Sequence, residues 1–443
     1  MKTSLNRRSF LERAALTGAA LSWGTSPGVS AEKAGTASTA ASSRPAFPPG
    51  AWPIWDETEE RALMDVLHSG KWGRTASGAA KVREFESAFG SRMKATHCVA
   101  TSSGTTALLT ALGALNIGPG DEVIIPPYTF VATFNAVTAS YALPIFVDTD
   151  ANTFQIDAKK IEAALTPATR LLLPVHIGGS TCDVEAIAAL GKTRNIPLIE
   201  DACQAPLAEW KGRPIGTFGI GGCFSFQASK NLTAGEGGAI LTNDAAFADL
   251  CYDFHTPGGA KKSPSSGRGA NYRMTEFQAG VLLAQFTRFE AQAKLRDENA
   301  AYLSSLLETI PGITPARLAH GNNRSGWHLY MFRYDKTKFA GLDRARFLQA
   351  LSKEGISASS GYARLNTSAH VQAIAQNRHY VRLYGEKAMK TWLDRNQCPV
   401  NDSLTEEAVW FGQNRLLLPK SEIERCASVI RDLQKRAGEL VRT

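Results

Sequence analysis

Between residues 97 and 241, short and almost wholly apolar runs alternate with stretches of helical period, and this alternation limits the fold more than any other feature of the chain. The runs 97–100, 123–125, 144–147, 171–175, 196–199, 223–226 and 239–241 predict strands. Residues 106–115, 158–165 (with Asp157 as N-cap) and 184–194 predict helices between them. Strands that are apolar on both faces and separated by helices form an α/β fold: a mostly parallel seven-stranded sheet covered on both sides. At 443 residues the chain has room for this layer and a second unit.

Ahead of the sheet, Asp56 and Glu59 read as a capping box. Leu63, Val66 and Leu67 then share one helical face until Gly70 stops the helix. Beyond the sheet, 275–307 has a long helical pattern and 327–334 alternates like a strand, with helices expected near 343–353, 382–393 and 421–440. The predicted division is a large domain over 51–307 and a smaller C-terminal α+β domain over 308–443.

The first residues read as an address. Asn6-Arg7-Arg8-Ser9-Phe10-Leu11 precedes a modest apolar stretch at 14–23, and Val29-Ser30-Ala31 offers small residues where a signal peptidase cuts. This resembles a twin-arginine export signal over 1–31, followed by a flexible Ala/Ser/Pro-rich linker over 32–50. The expectation is an exported, periplasmic protein with no membrane association once mature; a cytoplasmic or signal-anchored protein is the alternative.

Charge and cysteines narrow the chemistry. A net charge of +8, from 49 Lys and Arg against 41 Asp and Glu, does not ask for a nucleic acid partner, and the loop bearing Lys261, Lys262 and Arg268 reads as a solvated surface. Seven scattered cysteines without a Cys-x-x-Cys pair argue against a disulfide framework and a structural zinc site, and no other cluster has metal-ligand spacing.

Open parallel sheets bind ligands at the carboxyl ends of their strands, and four segments there bear polar residues. Ser103-Gly104-Thr105 joins a strand to a helix, as an anion cradle does. Glu200-Asp201-Ala202-Cys203-Gln204 follows another strand and places a carboxylate at the same edge. Ser225 ends a third strand, and Lys230 lies between it and a Gly-rich turn, where desolvation would suit an amine to Schiff-base chemistry. Phe130 follows Pro126-Pro127-Tyr128-Thr129; taken alone it reads as a core residue, and taken with the others as a plate for a planar ligand. Phosphate cradle, aromatic plate, carboxylate and lysine together are what pyridoxal 5'-phosphate needs.

The same segments resemble the DegT/StrS-type aminotransferases of fold type I, which act on ketosugars and cyclitols. The resemblance rests on TSSGTTAL (101–108), PPYTFVATFNAV (126–137), EDACQA (200–205), FSFQASKNLTAGEGGAI (224–240), NYRMTEFQAG (271–280), WHLYMFR (327–333) and CPVNDSLTEEAVWF (398–411). It implies that Lys230 is the catalytic lysine forming the internal aldimine and that Asp201 holds the pyridine nitrogen protonated. It further implies that Gln204 lies against the ring, that Phe130 stacks on it, and that Gly104, Thr105 and Ser225 contact the phosphate. Asn271 would reach the phosphate of a partner subunit, which makes the active unit a homodimer. His176 also falls at a recurrent family position, with a structural role equally open. The reaction implied is a ping-pong transfer from glutamate or glutamine to a ketosugar or keto-cyclitol.

Two features depart from that pattern. Where many members carry Pro-Leu-His beside the acceptor, this chain has Gly361-Tyr362-Ala363-Arg364-Leu365-Asn366. The export signal is the other, since nucleotide-activated sugars are made in the cytosol. The alternatives are a pyridoxal phosphate-dependent dehydratase, whose relatives lack the lysine found at 230, and a non-catalytic protein that retains the fold.

Overall fold

In the computed structural model, which describes residues 50–256 and 267–442, all seven expected strands form. They are β1 (His97–Thr101), β2 (Glu122–Ile125), β3 (Leu143–Phe146), β4 (Thr169–Leu172), β5 (Ile199–Asp201), β6 (Gly221–Ser225) and β7 (Gly238–Thr242). The ladders run β1-β7-β6-β5 and β3-β2-β4, and parallel bridges from Leu172 to Leu198 and from Val175 to Asp201 join the two halves. Only β7 is antiparallel to its neighbours. Every residue of β2, β3, β6 and β7 is buried, as a sheet covered on both faces requires. The candidate signal, the linker up to residue 49, and Lys261 and Lys262 lie outside the described residues.

Two boundaries differ from the sequence pattern in ways that move site residues. β5 runs from Ile199 to Asp201, because its register with β6 starts at Ile199 opposite Gly221 and continues to Asp201 opposite Cys223. Glu200 and Asp201 therefore belong to the strand instead of following it. The helix expected from 106 begins at Gly104, since Ser103 and Thr106 form a reciprocal capping box. The helix Val131–Ala139 has no counterpart in the expected elements, because its mostly apolar sequence shows no helical period.

After the 32-residue helix Glu276–Leu307 come β8 (Ile313–Pro315), β9 (Leu329–Tyr334) and β10 (Ala408–Gly412), an antiparallel sheet in the order β8-β9-β10. It shares a second core with the helices Arg344–Lys353 and Lys420–Lys435. The helices at Ala369–Ala375, Arg378–Tyr384 and Glu386–Arg395 turn Val371, Tyr380, Met389 and Trp392 into the core built around the seven-stranded sheet, where Trp392 Nε1 donates to the Pro144 carbonyl at 2.7 Å. The single helix expected over 382–393 is two, broken at Gly385, whose φ of 84° is left-handed.

The Asp56–Glu59 box and the left-handed Gly70 form as expected on the helix Glu57–Ser69. Its apolar stripe does not bury as one face: Val66 is enclosed, whereas Leu63, Met64 and Leu67 remain exposed, with Trp72 nearby at 52%. Among the described residues no helix is long and apolar enough to cross a membrane.

Candidate active site

The segments that follow β1, β2, β5 and β6 converge at the carboxyl edge of the sheet around a cavity of about 470 Å³. Lys230, Asp201, Gln204, Phe130, Gly104, Thr105 and Ser225 all line it. Asn271 does not; it is exposed on the segment preceding the long helix.

One end of the cavity suits an anion. Ser103 Oγ accepts from the Thr106 N–H at 3.1 Å, and the Ser103 N–H donates to Thr106 Oγ1 at 2.9 Å. This cap leaves the first-turn N–H groups of Gly104 and Thr105 without intrahelical acceptors, at the positive end of the helix. Only glycine fits at 104: a Cβ there would lie 2.6 Å from Ser225 Cβ and 3.0 Å from Cys203 Sγ. The absent side chain brings backbone amides, Thr105 and Ser225 to one point.

At another wall, Asp201 is buried at the end of β5. Its Oδ1 accepts from the Cys203 N–H at 3.2 Å and its Oδ2 from Thr133 Oγ1 at 2.8 Å, while Thr133 pairs with Thr129 at 3.0 Å. Two fixed donors hold the carboxylate in one orientation. Gln204 is fixed likewise, its Oε1 accepting from the Gly178 N–H at 2.8 Å and its Nε2 donating to Tyr362 Oη at 2.7 Å.

Glu200, one residue earlier and on the opposite face of the strand, accepts from the N–H groups of Gly216, Phe218 and Gly219 and pairs with His176 Nε2 at 3.1 Å. His176 Nδ1 lies 3.7 Å from Cys182 Sγ. This Cys-His-Glu arrangement is sealed from solvent, and neither His176 nor Cys182 lines the cavity. His176 therefore acts as a structural histidine, and burial pushes the Cys182 thiol well above its ordinary range.

Lys230 lies in the turn between β6 and β7, its N–H bonded to the Gln227 carbonyl at 2.8 Å. Burial of the amine lowers its pKa below the ordinary lysine value, against a smaller opposing pull from Cys203 and Asp201. Phe130 is not a core residue: at 56% exposure it stands at the mouth of the cavity as the N-cap of Val131–Ala139.

The model of the DegT/DnrJ/EryC1/StrS aminotransferase family matches residues 53–410. The chain belongs to this family. It is an aminotransferase. A 3-amino-5-hydroxybenzoate synthase of Amycolatopsis mediterranei is 32% identical over 401 residues, covering 89% of this chain and 98% of that protein. An L-glutamine:2-deoxy-scyllo-inosose aminotransferase of Streptoalloteichus tenebrarius is 34% identical over 410 residues, covering 88% and 96%. Among solved structures, a 3-amino-5-hydroxybenzoic acid synthase superposes with a TM-score of 0.76 at 32% identity, covering 88% of this chain and 99% of the other. DesV of S. venezuelae, solved with a ketimine intermediate, gives 0.72 at 29% identity, covering 86% and 95%.

Three residues of this aminotransferase's cavity escaped the sequence reading. Thr133 lies in the first turn of the helix that had no periodic signal. Tyr362 belongs to the segment that departs from the family pattern, so its alignment gave no role; it packs edge-on against Trp410 and Tyr128. His328 sat in a quoted motif, yet only the structure shows its Nε2 3.4 Å from Lys230 Nζ.

Proposed function

We propose that this aminotransferase moves an amino group from glutamine or glutamate to a ring ketone of a sugar or cyclitol, using pyridoxal phosphate held at Lys230. The observation that carries this reading is the convergence of a desolvated lysine amine, a buried and doubly hydrogen-bonded carboxylate and a glycine-only anion cradle on one cavity. The residues fit the cofactor. Gly104, Thr105 and Ser225 would hold its phosphate, Phe130 its ring face, Asp201 its pyridine nitrogen and Lys230 its aldehyde carbon. When bound, the cofactor supplies an electron sink that stabilises negative charge on the carbon losing its proton.

The chain's own groups do the rest. Lys230, whose charged form burial disfavours, can take a proton from the donor carbon and later return one to the acceptor carbon. Asp201, held in one orientation by Thr133 and the Cys203 N–H, is the carboxylate that would face the ring nitrogen and favour its protonated form. Gln204 and Tyr362, bonded to each other on the cavity lining, are placed to orient a ring ketone. The named activities of the relatives, amination of 2-deoxy-scyllo-inosose among them, support a cyclic ketone as acceptor.

Purified protein should absorb in the near-visible with pyridoxal phosphate, bleach with the right amino donor and recover with the right ketone. Lys230→Ala should keep its fold and lose covalent capture of the cofactor. A spectrum unchanged by a broad donor panel would overturn the reading.

We further propose a homodimer in which Asn271 serves the partner's phosphate site. The exposed Leu63, Met64, Leu67 and Trp72 support this as an apolar surface awaiting cover. Sedimentation of a monomer at micromolar concentration would argue against it. The division into 51–307 and 308–443 and export by the twin-arginine route are proposed on sequence alone; fractionation of cells expressing the Arg7→Lys, Arg8→Lys pair tests the latter.

A further inference from the structure

His328 is buried on the rim of β9, lines the cavity, and places Nε2 3.4 Å from Lys230 Nζ, while among the described residues its Nδ1 is buried with no partner. Its placement is enforced. Trp327, the residue before it, has a φ of 49°, a left-handed conformation costly for a large side chain. The Trp327 indole is pinned to Asp297 Oδ1 at 2.6 Å, and the Gly326 N–H to the Gly179 carbonyl at 2.8 Å. Asn231, next to Lys230, donates to the Gly326 carbonyl at 2.6 Å, so the lysine turn and the histidine strand are tied together one residue from Lys230 and two from His328.

We propose that His328 is a positioning residue for Lys230, donating from Nε2–H to the lone pair of an uncharged Nζ and fixing where that amine waits for its carbon partner. The proposal rests on the reading of Lys230 given above.

The protonation state follows from the surroundings. The groups that face His328 are Lys230 and the buried Arg296, both cationic when charged, and those that face Lys230 are His328, Cys203 and Asp201. An imidazolium would meet two cations and bury a Nδ1–H with no acceptor, so the ring is neutral, in keeping with a pKa held well below 6.5 by burial. Of the neutral tautomers, the one protonated at Nδ1 also buries an unpaired N–H, whereas the one protonated at Nε2 leaves only a bare lone pair. With the proton on Nε2, the lysine must accept and is therefore uncharged. His328 acts through position and does not relay protons.

Competitive labelling with trace acetic anhydride, which acylates only uncharged amines, tests this in the full-length protein freed of cofactor. Lys230 labelling is followed against pH by peptide mass spectrometry. The native chain should reach half-labelling below the ordinary lysine range. His328→Gln, whose amide N–H reaches the same place, should hold that midpoint, and His328→Leu should raise it by about one pH unit, a tenfold change. An unmoved midpoint in folded His328→Leu would overturn the proposal. Histidine-selective ¹⁵N shifts of the native chain give a second readout that needs no variant to fold: a proton on Nε2 is expected, and a proton on Nδ1 refutes the assignment. Both readouts persist if the protein takes no pyridoxal phosphate, so this inference and the proposed function fail separately.

Discussion

Thr133 Oγ1 donates to Asp201 Oδ2 across 2.8 Å, although the two residues are 68 positions apart and lie in different layers of the fold. The hydroxyl comes from the first turn of Val131–Ala139 and the carboxylate from the end of β5. A buried carboxylate oxygen that loses its donor costs about 1–3 kcal/mol and gains freedom to rotate. Thr133→Val removes the hydroxyl at nearly constant volume. On the proposed reading, the expected result is about tenfold weaker retention of pyridoxal phosphate, read by equilibrium dialysis, with Asp201→Asn more severe.

Gly104→Ala should fail for a steric reason. The new Cβ would meet Ser225 Cβ at 2.6 Å, and both atoms belong to backbone-anchored positions that cannot swing away. Overpacking of this kind costs about 1–3 kcal/mol. The urea midpoint should fall, and phosphate-bearing ligands should weaken more than the lost stability alone explains, because the amides of 104 and 105 would be displaced.

The sheet was legible because its strands are apolar on both faces, a pattern that needs no tertiary knowledge. The position of Lys230 between β6 and the Gly-rich turn was legible for the same reason. What was not legible depends on pairing. The extent of β5 is set by its ladder with β6, which runs on to Asp201 opposite Cys223 and so makes Asp201 a strand residue instead of a loop residue. The exposed Leu63, Met64 and Leu67 look identical to core residues in a one-dimensional pattern, since periodicity reports a face and not what covers it. His328 meets Lys230 from 98 residues away, a distance no spacing rule reaches.

His255 gives the fold a pH dependence of definite sign. It is fully buried at the end of Ala245–His255; desolvation and the Arg74 guanidinium, 3.3 Å from Nε2, hold its pKa at about 4. The unfolded chain binds the proton near pH 6.5 and the folded chain does not, so the unfolded state binds more protons in between. Stability is therefore fully present above pH 6.5 and is lost as the pH falls toward 4, by on the order of 2 kcal/mol at pH 5 from this group. His255→Gln should lose less stability between pH 7 and pH 5 than the native chain does, measured by denaturant melts at both pH values. An equal loss in both would remove His255 as the source.

Tyr362 is the place where this chain's acceptor preference should be visible. Its hydroxyl accepts from Gln204 Nε2 at 2.7 Å and lines the cavity, and burial raises its pKa to about 12, so it stays a neutral phenol at any working pH. On the proposed reading, with one lone pair taken by Gln204, its own proton would be available to a ring hydroxyl or carbonyl oxygen of the acceptor. Tyr362→Phe keeps the edge-on packing against Trp410 and Tyr128 and removes only that donor and the Gln204 contact. Cofactor capture should therefore persist, and the half-reaction with the amino donor should change little. The half-reaction with the ketone should lose about tenfold or more in kcat/KM, equivalent to one hydrogen bond. Stopped-flow spectra of the two half-reactions separate these outcomes, and equal losses in both would place Tyr362 on the cofactor instead of on the acceptor.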